Sequence, residues 1–381
     1  MEELNMKFVL APDSFKESMT SKEACEAMER GIKKVIPNAE CIKVPMADGG
    51  EGTVEALVES TNGEIHEVEV LNPLGEKISA CFGILGNKTT AVIEMATASG
   101  IQLIKREERN PLITTTYGTG ELIKAALDKG IKHIIIGIGG SATNDGGAGM
   151  IQALGGKLLD SNGNEISFGG GALNNLENID LSSLDGRLKD TTIEVACDVT
   201  NPLIGEKGAS AIFGPQKGAN LEVVKELDDN LAHYADVIKR CLGKDIAYTE
   251  GAGAAGGLGA ALLAFLNGKL KRGIDLVIKH TDLSEKVKGA NFVFTGEGSI
   301  DSQTIFGKTP IGVAKVAKKE NVKTIAFAGR IGKGVENLYP EGIDAIFGIL
   351  TSVTDIDEAL VLGKENLEIC TENVARILAI S

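Results

Sequence analysis

Five acidic residues follow apolar runs that are typical of buried strands: Asp13, Asp48, Asp198, Glu297 and Asp301. Most of them stand beside glycine, proline or asparagine, as expected where a strand passes into a loop. In α/β proteins the loops at the carboxyl ends of strands carry the functional groups. A carboxylate there can hold Mg²⁺ through oxygen or accept a hydroxyl proton. Each residue alone also fits a helix cap or turn former, but their recurrence at strand ends favours a functional site.

Positive side chains occur near the same loops. Lys16, Lys217 and Lys308 each offer a point charge suited to a phosphate or a carboxylate. Arg330 follows a further apolar run and could grip a carboxylate with two N–H groups. Each also fits an ordinary solvated surface side chain. Together, the carboxylates and these cations indicate phosphoryl transfer, which depends on positioning, Mg²⁺ and positive charge rather than on an elaborate nucleophile.

A glycine-rich segment, residues 137–149, follows the apolar run 134–136 and reads GIGGSATNDGGAG. Glycine permits positive φ angles and close approach of a ligand, so a strand that ends in such a loop offers bare N–H groups to an anion such as phosphate. Ser141 and Asn144 add short polar groups. No lysine follows these glycines, so the segment is not a P-loop. A tight strand-to-helix turn without a ligand is the alternative.

Two glycine patterns also fit a dinucleotide-binding fingerprint. Residues 137–142 match G-x-G-x-x-A, with Asp160 near the acidic position, and residues 251–256 match G-x-G-x-x-G after a weak predicted strand at 244–250. Neither pattern is specific alone. A nucleotide-dependent dehydrogenase therefore stays open, although no catalytic His or Lys pair stands at an obvious spacing. A non-catalytic small-molecule sensor also stays open, although the set of polar residues is complete.

The periodicity of the chain predicts which elements position these residues. Strands and helices alternate at both ends, which implies parallel sheets with their loops gathered at one edge. Residues 64–70 and 78–84 alternate polar and apolar side chains, as in half-buried antiparallel strands. The middle of the chain is glycine-rich. We therefore predict an α/β fold in which residues 81–275 form a domain inserted into a second domain made of residues 1–80 and 276–381.

Composition narrows the class of protein. A chain of 381 residues favours two domains, and its net charge of −14 argues against nucleic acid or an anionic membrane as partner. The six cysteines and four histidines show no C-x-x-C or H-x-x-x-H spacing, which argues against a zinc site. The start of the chain lacks the form of a signal peptide, and no run of 18 apolar residues occurs. We predict a cytoplasmic protein.

The motifs taken together resemble the glycerate kinase family, in its bacterial type I branch. The resemblance spans residues 11–330 and therefore covers nearly the whole chain. The matching stretches are residues 11–16, 45–53, 116–120, 137–150, 197–203, 214–218, 251–262 and 295–304, with Gly307 and Lys308. One departure is Glu17, where a glycine is expected after the lysine.

The resemblance implies transfer of the ATP γ-phosphate to a hydroxyl group of D-glycerate with Mg²⁺. The expected product is 2-phosphoglycerate, with 3-phosphoglycerate as the alternative. It also implies two α/β domains, one of them Rossmann-like and built from both chain ends, with the active cleft between them. The oligomeric state, monomer or homodimer, stays open.

Roles for individual residues follow as hypotheses. Gly139, Gly140 and Ser141 are expected closest to the ATP phosphates, with Asn144 and Lys217 also binding the cofactor. Asp198 and Glu297 are expected to hold Mg²⁺, directly or through water.

The remaining roles concern the binding of D-glycerate and the transfer of the phosphoryl group. Asp48 is expected to accept the glycerate hydroxyl proton, and Lys16 and Lys308 to neutralise charge, with Asp301 as a further catalytic group. The residues expected to bind glycerate are Asp13, Ser14 and Arg330.

Overall fold

The computed structural model describes residues 6–380, which contain both strands and helices. The strands are β1 (Lys7–Leu10), β2 (Glu40–Lys43), β3 (Glu64–Leu71), β4 (Lys77–Ile84), β5 (Thr90–Glu94), β6 (His133–Gly137), β7 (Lys157–Leu159), β8 (Asn178–Asp180), β9 (Thr192–Ala196), β10 (Lys269–Lys271), β11 (Phe292–Ile300), β12 (Lys323–Ile331) and β13 (Ala345–Gly348). The helices are α1 (Ser21–Lys33), α2 (Thr53–Thr61), α3 (Ala96–Ser99), α4 (Tyr117–Asp128), α5 (Ala148–Ala153), α6 (Ala209–Phe213), α7 (Leu221–Leu242), α8 (Ala254–Leu266), α9 (Gly273–His280), α10 (Leu283–Val287), α11 (Thr309–Lys319), α12 (Ile356–Val361) and α13 (Gly363–Ile380). The fold class is α/β, as the sequence predicts.

The chain divides into two compact units. Unit 1 comprises the chain up to Asp48, Glu55–Asn62 and the chain from Ile274 onward, and unit 2 comprises Gly49–Val54 and Gly63–Gly273. The first boundary differs from the predicted one at residues 80 and 81, because β3 and β4 pair with each other and β4 pairs with β5. Residues 63–80 therefore belong to unit 2. Independent folding of the two parts as domains stays a prediction.

Unit 1 is built on a five-stranded parallel sheet in the order β13-β12-β11-β1-β2. Counted within unit 1 alone, the strands run 2-1-3-4-5, so the order reverses between β1 and β11. Ligands in open α/β sheets bind outside the carboxyl ends of the strands at such a reversal. The core beneath consists of apolar side chains such as Phe8, Leu10, Phe294 and Phe327, all with no exposed surface.

Local sequence explains the first helix of unit 1. Thr20 accepts a hydrogen bond from the Glu23 N–H while the Glu23 side chain accepts one from the Thr20 N–H, the capping box that the sequence predicts. Helix α1 lies against α13 so closely that a Cβ at Gly31 would stand 2.5 Å from the Glu368 carbonyl oxygen. The closing helix therefore covers the sheet through a contact that only glycine permits.

Unit 2 is built on a mixed six-stranded sheet in the order β10-β9-β6-β5-β4-β3. The strands β5, β6, β9 and β10 are parallel, and β3 and β4 are antiparallel, as their alternating pattern predicts. The isoleucines of β6, Ile134 to Ile136, are completely buried at the centre of this sheet. The strand predicted at residues 244–250 is wrong: that segment forms only turns and coil.

Candidate functional site

Three acidic residues of unit 1 converge where the strand order reverses. The loop after β1 continues along β11, with the Ala11 N–H donating to Phe294 O at 2.7 Å and the Asp13 N–H to Gly296 O at 2.9 Å. The loop after β2 follows on the other side of β1, where the Met46 N–H donates to Pro12 O at 3.0 Å. These ladders bring Asp13, Asp48 and Glu297 together, and we call these three residues the carboxylate cluster.

Asp13 is the most strongly perturbed member of the cluster. It is 9% exposed, and its carboxylate accepts hydrogen bonds from Thr309 Oγ1 at 2.5 Å and from the Ser14 N–H at 2.6 Å. Burial, and next the charge of Asp48, raises the pKa of Asp13 to about 7 against the lowering effect of these hydrogen bonds. Asp13 is therefore poised to hold or release a proton at neutral pH.

Glu297 lies within β11, which continues to Ile300, so the prediction that this residue follows the strand is wrong. Burial raises its pKa, while the nearby Lys308 ammonium, 3.1 Å from Oε2, opposes that rise. Thr304 Oγ1 donates to the other carboxylate oxygen at 3.1 Å. Both partners flank the short 3-10 turn Thr304–Phe306, so this turn and the start of α11 hold the Glu297 side chain.

The environments differ among the other residues of unit 1 that were predicted to belong to the site. Ser14 supports the Asp13 carboxylate through its N–H and its hydroxyl group. Asp301 caps the turn that follows it, because its Oδ1 accepts the Gln303 N–H at 2.8 Å. Lys16 and Arg330 are exposed, and within residues 6–380 no acidic side chain pairs with either.

Glu17 adopts a conformation that explains the expected glycine. Its φ angle is 64°, in the left-handed region where a side chain causes strain. It lies in the turn between Phe15 and Met19, where the Phe15 N–H donates to Met19 O at 2.9 Å. The strain therefore falls in the same loop as Asp13.

Sequence reasoning missed two supporting hydroxyl groups, those of Thr304 and Thr309. The sequence marks Thr309 only as the start of a helix, because Pro310 follows it directly and proline is favoured in the first helical turn. No signal in the sequence shows that its hydroxyl group reaches Asp13, 296 residues away.

The glycine-rich segment of unit 2, residues 137–149, extends from the end of β6 and is called the glycine loop below. Gly139 and Gly140 are exposed, and Gly140 has a φ angle of 74°. Ala142 donates its N–H to Ser99 O and Gly146 donates its N–H to Gly256 O, both at 3.0 Å. Within the described chain no acceptor contacts the N–H groups of Gly139, Gly140 or Ser141. These donors remain available to an anion.

Asp145 holds the second half of the glycine loop in place through hydrogen bonds. This residue has no exposed surface, and its carboxylate accepts hydrogen bonds from the Thr116 N–H and hydroxyl at 2.8 Å each, from the Gly147 N–H at 3.0 Å and from the Gly149 N–H at 3.2 Å. Burial raises its pKa and these hydrogen bonds oppose the rise. The N–H groups of Gly147 and Gly149 are therefore already used.

Lys217 lies beneath the first half of the loop. It is 1% exposed, and its Nζ donates to Ser141 Oγ at 2.7 Å and to Thr143 O at 2.6 Å. Burial lowers the pKa of Lys217 to about 7, while the charge of Asp145 acts in the opposite direction. The structure thus places this ammonium under the loop rather than beside its exposed glycines.

Two further predicted residues of unit 2 occupy different environments. Asn144 has no exposed surface and donates to Ser210 Oγ at 3.0 Å, so it stabilises the loop from within. Asp198 is exposed after β9, and its Oδ1 accepts the Gly273 N–H at 3.2 Å. Asp198 therefore keeps an accessible carboxylate.

The second glycine pattern packs against the glycine loop. A Cβ at Gly256 would lie 1.9 Å from Thr143 O, and the φ angle of this glycine is 67°. The acidic residue of the first fingerprint, Asp160, accepts the N–H groups of Asn162 and Asn164 in an exposed turn. These contacts give Gly256 and Asp160 structural roles in unit 2.

The donor sets fit the ligands of a kinase. The carboxylate cluster offers carboxylate oxygens, which suit Mg²⁺, and burial followed by the charge of Asp48 raises the pKa of Asp13 there. The glycine loop offers exposed, unpaired N–H groups suited to phosphate oxygens. No helix within residues 6–380 has the length and apolar character needed to cross a membrane.

Comparison with known proteins identifies the family. The model of the glycerate kinase family matches residues 8–379. The chain is 56% identical over 375 residues to glycerate 2-kinase of Escherichia coli K12, covering 98% of each chain, and 56% identical over 370 residues to glycerate kinase of Bacillus subtilis 168, covering 97% of each. It is also similar to the crystal structure of a candidate glycerate kinase 2 from Salmonella typhimurium LT2, with a TM-score of 0.91, 51% identity and 99% of each chain covered. The chain therefore belongs to the glycerate kinase family and is an enzyme, a kinase of the transferase class.

Proposed function

We propose that this enzyme transfers the γ-phosphoryl group of ATP to the 2-hydroxyl group of D-glycerate, giving 2-phosphoglycerate and ADP. The observation that carries the choice of hydroxyl group is the 56% identity, over 98% of both chains, to a relative named glycerate 2-kinase. Transfer to the other hydroxyl group, giving 3-phosphoglycerate, is the competing outcome. A cytoplasmic location and a monomeric or homodimeric state stay predictions.

The nucleotide is assigned to the glycine loop. The N–H groups of Gly139, Gly140 and Ser141 lack acceptors within the described chain, and the two glycines are exposed. The ties to Asp145 and Lys217 hold the loop in one conformation before the nucleotide arrives. Donors that are already oriented need no rearrangement when charge moves during the reaction.

The acceptor is assigned to the carboxylate cluster. The glycerate hydroxyl oxygen attacks the γ-phosphorus, the bond from that phosphorus to the β–γ bridging oxygen breaks, and ADP leaves. Asp48 is the proposed acceptor of the hydroxyl proton because it is partly exposed, whereas Asp13 is buried. Since the charge of Asp48 raises the pKa of Asp13, a proton arriving on Asp48 favours ionisation of Asp13.

Charge neutralisation is assigned to the cations and to Mg²⁺. Glu297 and Asp198 are the proposed Mg²⁺ ligands, directly or through water. Bound Mg²⁺ would withdraw negative charge from the phosphates. Lys308 already compensates Glu297, whereas the exposed Lys16 and Arg330 are proposed to meet the glycerate carboxylate or the transferred group.

A coupled assay for ADP release tests the proposal. We expect release with Mg-ATP and D-glycerate, and none with L-glycerate or without an acceptor. Phosphorus NMR of the product then distinguishes the two phosphoglycerates. ADP release that does not depend on D-glycerate would contradict the proposed acceptor, and a 3-phosphoglycerate signal would contradict the proposed hydroxyl group.

A further inference from the structure

The hydroxyl group of Ser141 has an unused hydrogen. Its oxygen accepts a hydrogen bond from Lys217 Nζ at 2.7 Å. A serine hydroxyl can also donate one hydrogen bond. Within residues 6–380 no acceptor receives that hydrogen. The hydroxyl proton is therefore directed away from the ammonium group that occupies the oxygen.

Ser141 lies beside the exposed glycines of the loop. Ser141 is 6% exposed and directly follows the exposed Gly140, whereas Thr143 and Asn144, further along the loop, have no exposed surface. Ser141 therefore combines a small exposed surface with a position directly after the unpaired N–H groups of Gly139 and Gly140.

The ammonium group beneath the serine cannot reach a ligand itself. Lys217 is 1% exposed, and two of its three donors are already directed to Ser141 Oγ and Thr143 O. In its protonated form the buried Lys217 polarises the hydroxyl group to which it donates, and this strengthens the hydrogen bond that the hydroxyl group donates in turn. The charge can therefore act on an anion through Ser141.

We infer that Lys217 is a positioning residue that turns the Ser141 hydroxyl into a third donor for a nucleotide phosphate, beside the N–H groups of Gly139 and Gly140. This inference rests on the proposed assignment of ATP to the glycine loop. In this inference Lys217 acts on the nucleotide through the Ser141 side chain and does not contact the nucleotide directly.

The test is a double-mutant cycle on the dissociation constant of Mg-ATP, measured by calorimetry at constant ionic strength. Ser141→Ala removes the donor and should raise the Kd roughly 10-fold, the effect of one hydrogen bond to a charged group. Lys217→Met should raise the Kd by a similar factor in the wild-type background, and by less than about 2-fold when Ser141 is already alanine.

Thermal unfolding separates this role from a merely structural one. Lys217→Met removes the hydrogen bonds to Ser141 Oγ and Thr143 O, so it should lower the Tm in both backgrounds, and by less when Ser141 is alanine because only the bond to Thr143 O is then left to lose. If its effect on the Kd is the same in both backgrounds, Lys217 only supports the loop and the inference is wrong. Should Lys217→Met fail to fold, Ser141→Ala decides alone, because an unchanged Kd in that variant overturns the inference.

A Gly139→Ala variant distinguishes failure of the inference from failure of the proposed function. A raised Kd in this variant with an additive cycle would keep ATP on the loop and remove only the role of Lys217. An unchanged Kd in this variant would remove the nucleotide from the loop, and the inference would fall with it.

Discussion

Replacing Gly139 with alanine tests whether the glycine loop holds the nucleotide phosphates without disturbing the fold. A Cβ at this position would have only Gly50 Cα nearby, at 3.9 Å, which is an ordinary contact. The neighbouring Gly140 is a poorer choice because its φ angle is 74°, so alanine there would add about 1 kcal/mol of strain. Gly139→Ala therefore changes what a ligand meets and little else.

The expected magnitude follows from one lost hydrogen bond. A hydrogen bond to a charged group contributes about 1.5–3 kcal/mol. A methyl group that keeps a phosphate oxygen from the Gly139 N–H should therefore raise the Kd of Mg-ATP roughly 10- to 100-fold. The free energy of unfolding should stay equal or rise by up to about 1 kcal/mol, because alanine restricts the unfolded chain.

The assay is calorimetric titration with Mg-ATP, together with thermal unfolding monitored by circular dichroism. Gly186→Ala is the matched control, since a Cβ there would meet nothing within 4 Å and the residue begins the 3-10 turn Gly186–Asp190, ahead of β9 rather than after β6. We expect the control to bind Mg-ATP as the wild type does. Wild-type affinity in Gly139→Ala, with an unchanged Tm, would show that no phosphate lies against residue 139.

Three further predictions concern the rest of the two sites. Burial raises the pKa of Asp13 to about 7, so the folded protein keeps a proton that the unfolded chain releases, and the contribution of Asp13 to stability falls as pH rises from about 4 to 7. Asp13→Asn cannot ionise and should flatten that part of a Tm–pH profile; an unchanged slope would refute the raised pKa. Glu17→Gly should raise the free energy of unfolding by about 1 kcal/mol by relieving the left-handed conformation, whereas Glu17→Ala should give no such gain in urea denaturation. Gly256→Ala should cost about 2–3 kcal/mol and weaken Mg-ATP binding, because its Cβ would lie 1.9 Å from Thr143 O; a variant with wild-type Tm and affinity would contradict the close packing of α8 on the glycine loop.

The local elements were predictable because their causes are local. The buried run of β6 is marked by three successive isoleucines, and the start of α1 by the capping box of Thr20 and Glu23. The antiparallel pair β3 and β4 is marked by its two-residue alternation. A strand at residues 244–250 was predicted from weak propensity alone, and tertiary packing there forms turns instead.

Membership of the glycerate kinase family was also within reach of the sequence. The motifs that carry it extend over most of the chain, and the family model matches residues 8–379. The expected glycine at position 17 belongs to the same pattern, and the φ angle of 64° at Glu17 supplies its physical reason.

Tertiary structure alone decided the state of each site residue. The pKa of Asp13 depends first on its burial and then on Asp48, Thr309 and Glu297, which the parallel order of the sheet brings together from distant parts of the chain. Lys217 was predicted to bind the cofactor, with an ordinary surface lysine as the alternative, yet folding buries it beneath Ser141. The sequence by itself determined that Asp13, Asp48, Asp198 and Asp301 follow strands and which family the chain resembles, because periodicity and motifs are short-range. Strands β11 and β12 continue past their apolar runs, so Glu297 and Arg330 lie within strands instead. Burial and the distance between charges arise only when distant segments pack, and these two quantities set what each carboxylate and ammonium group can do.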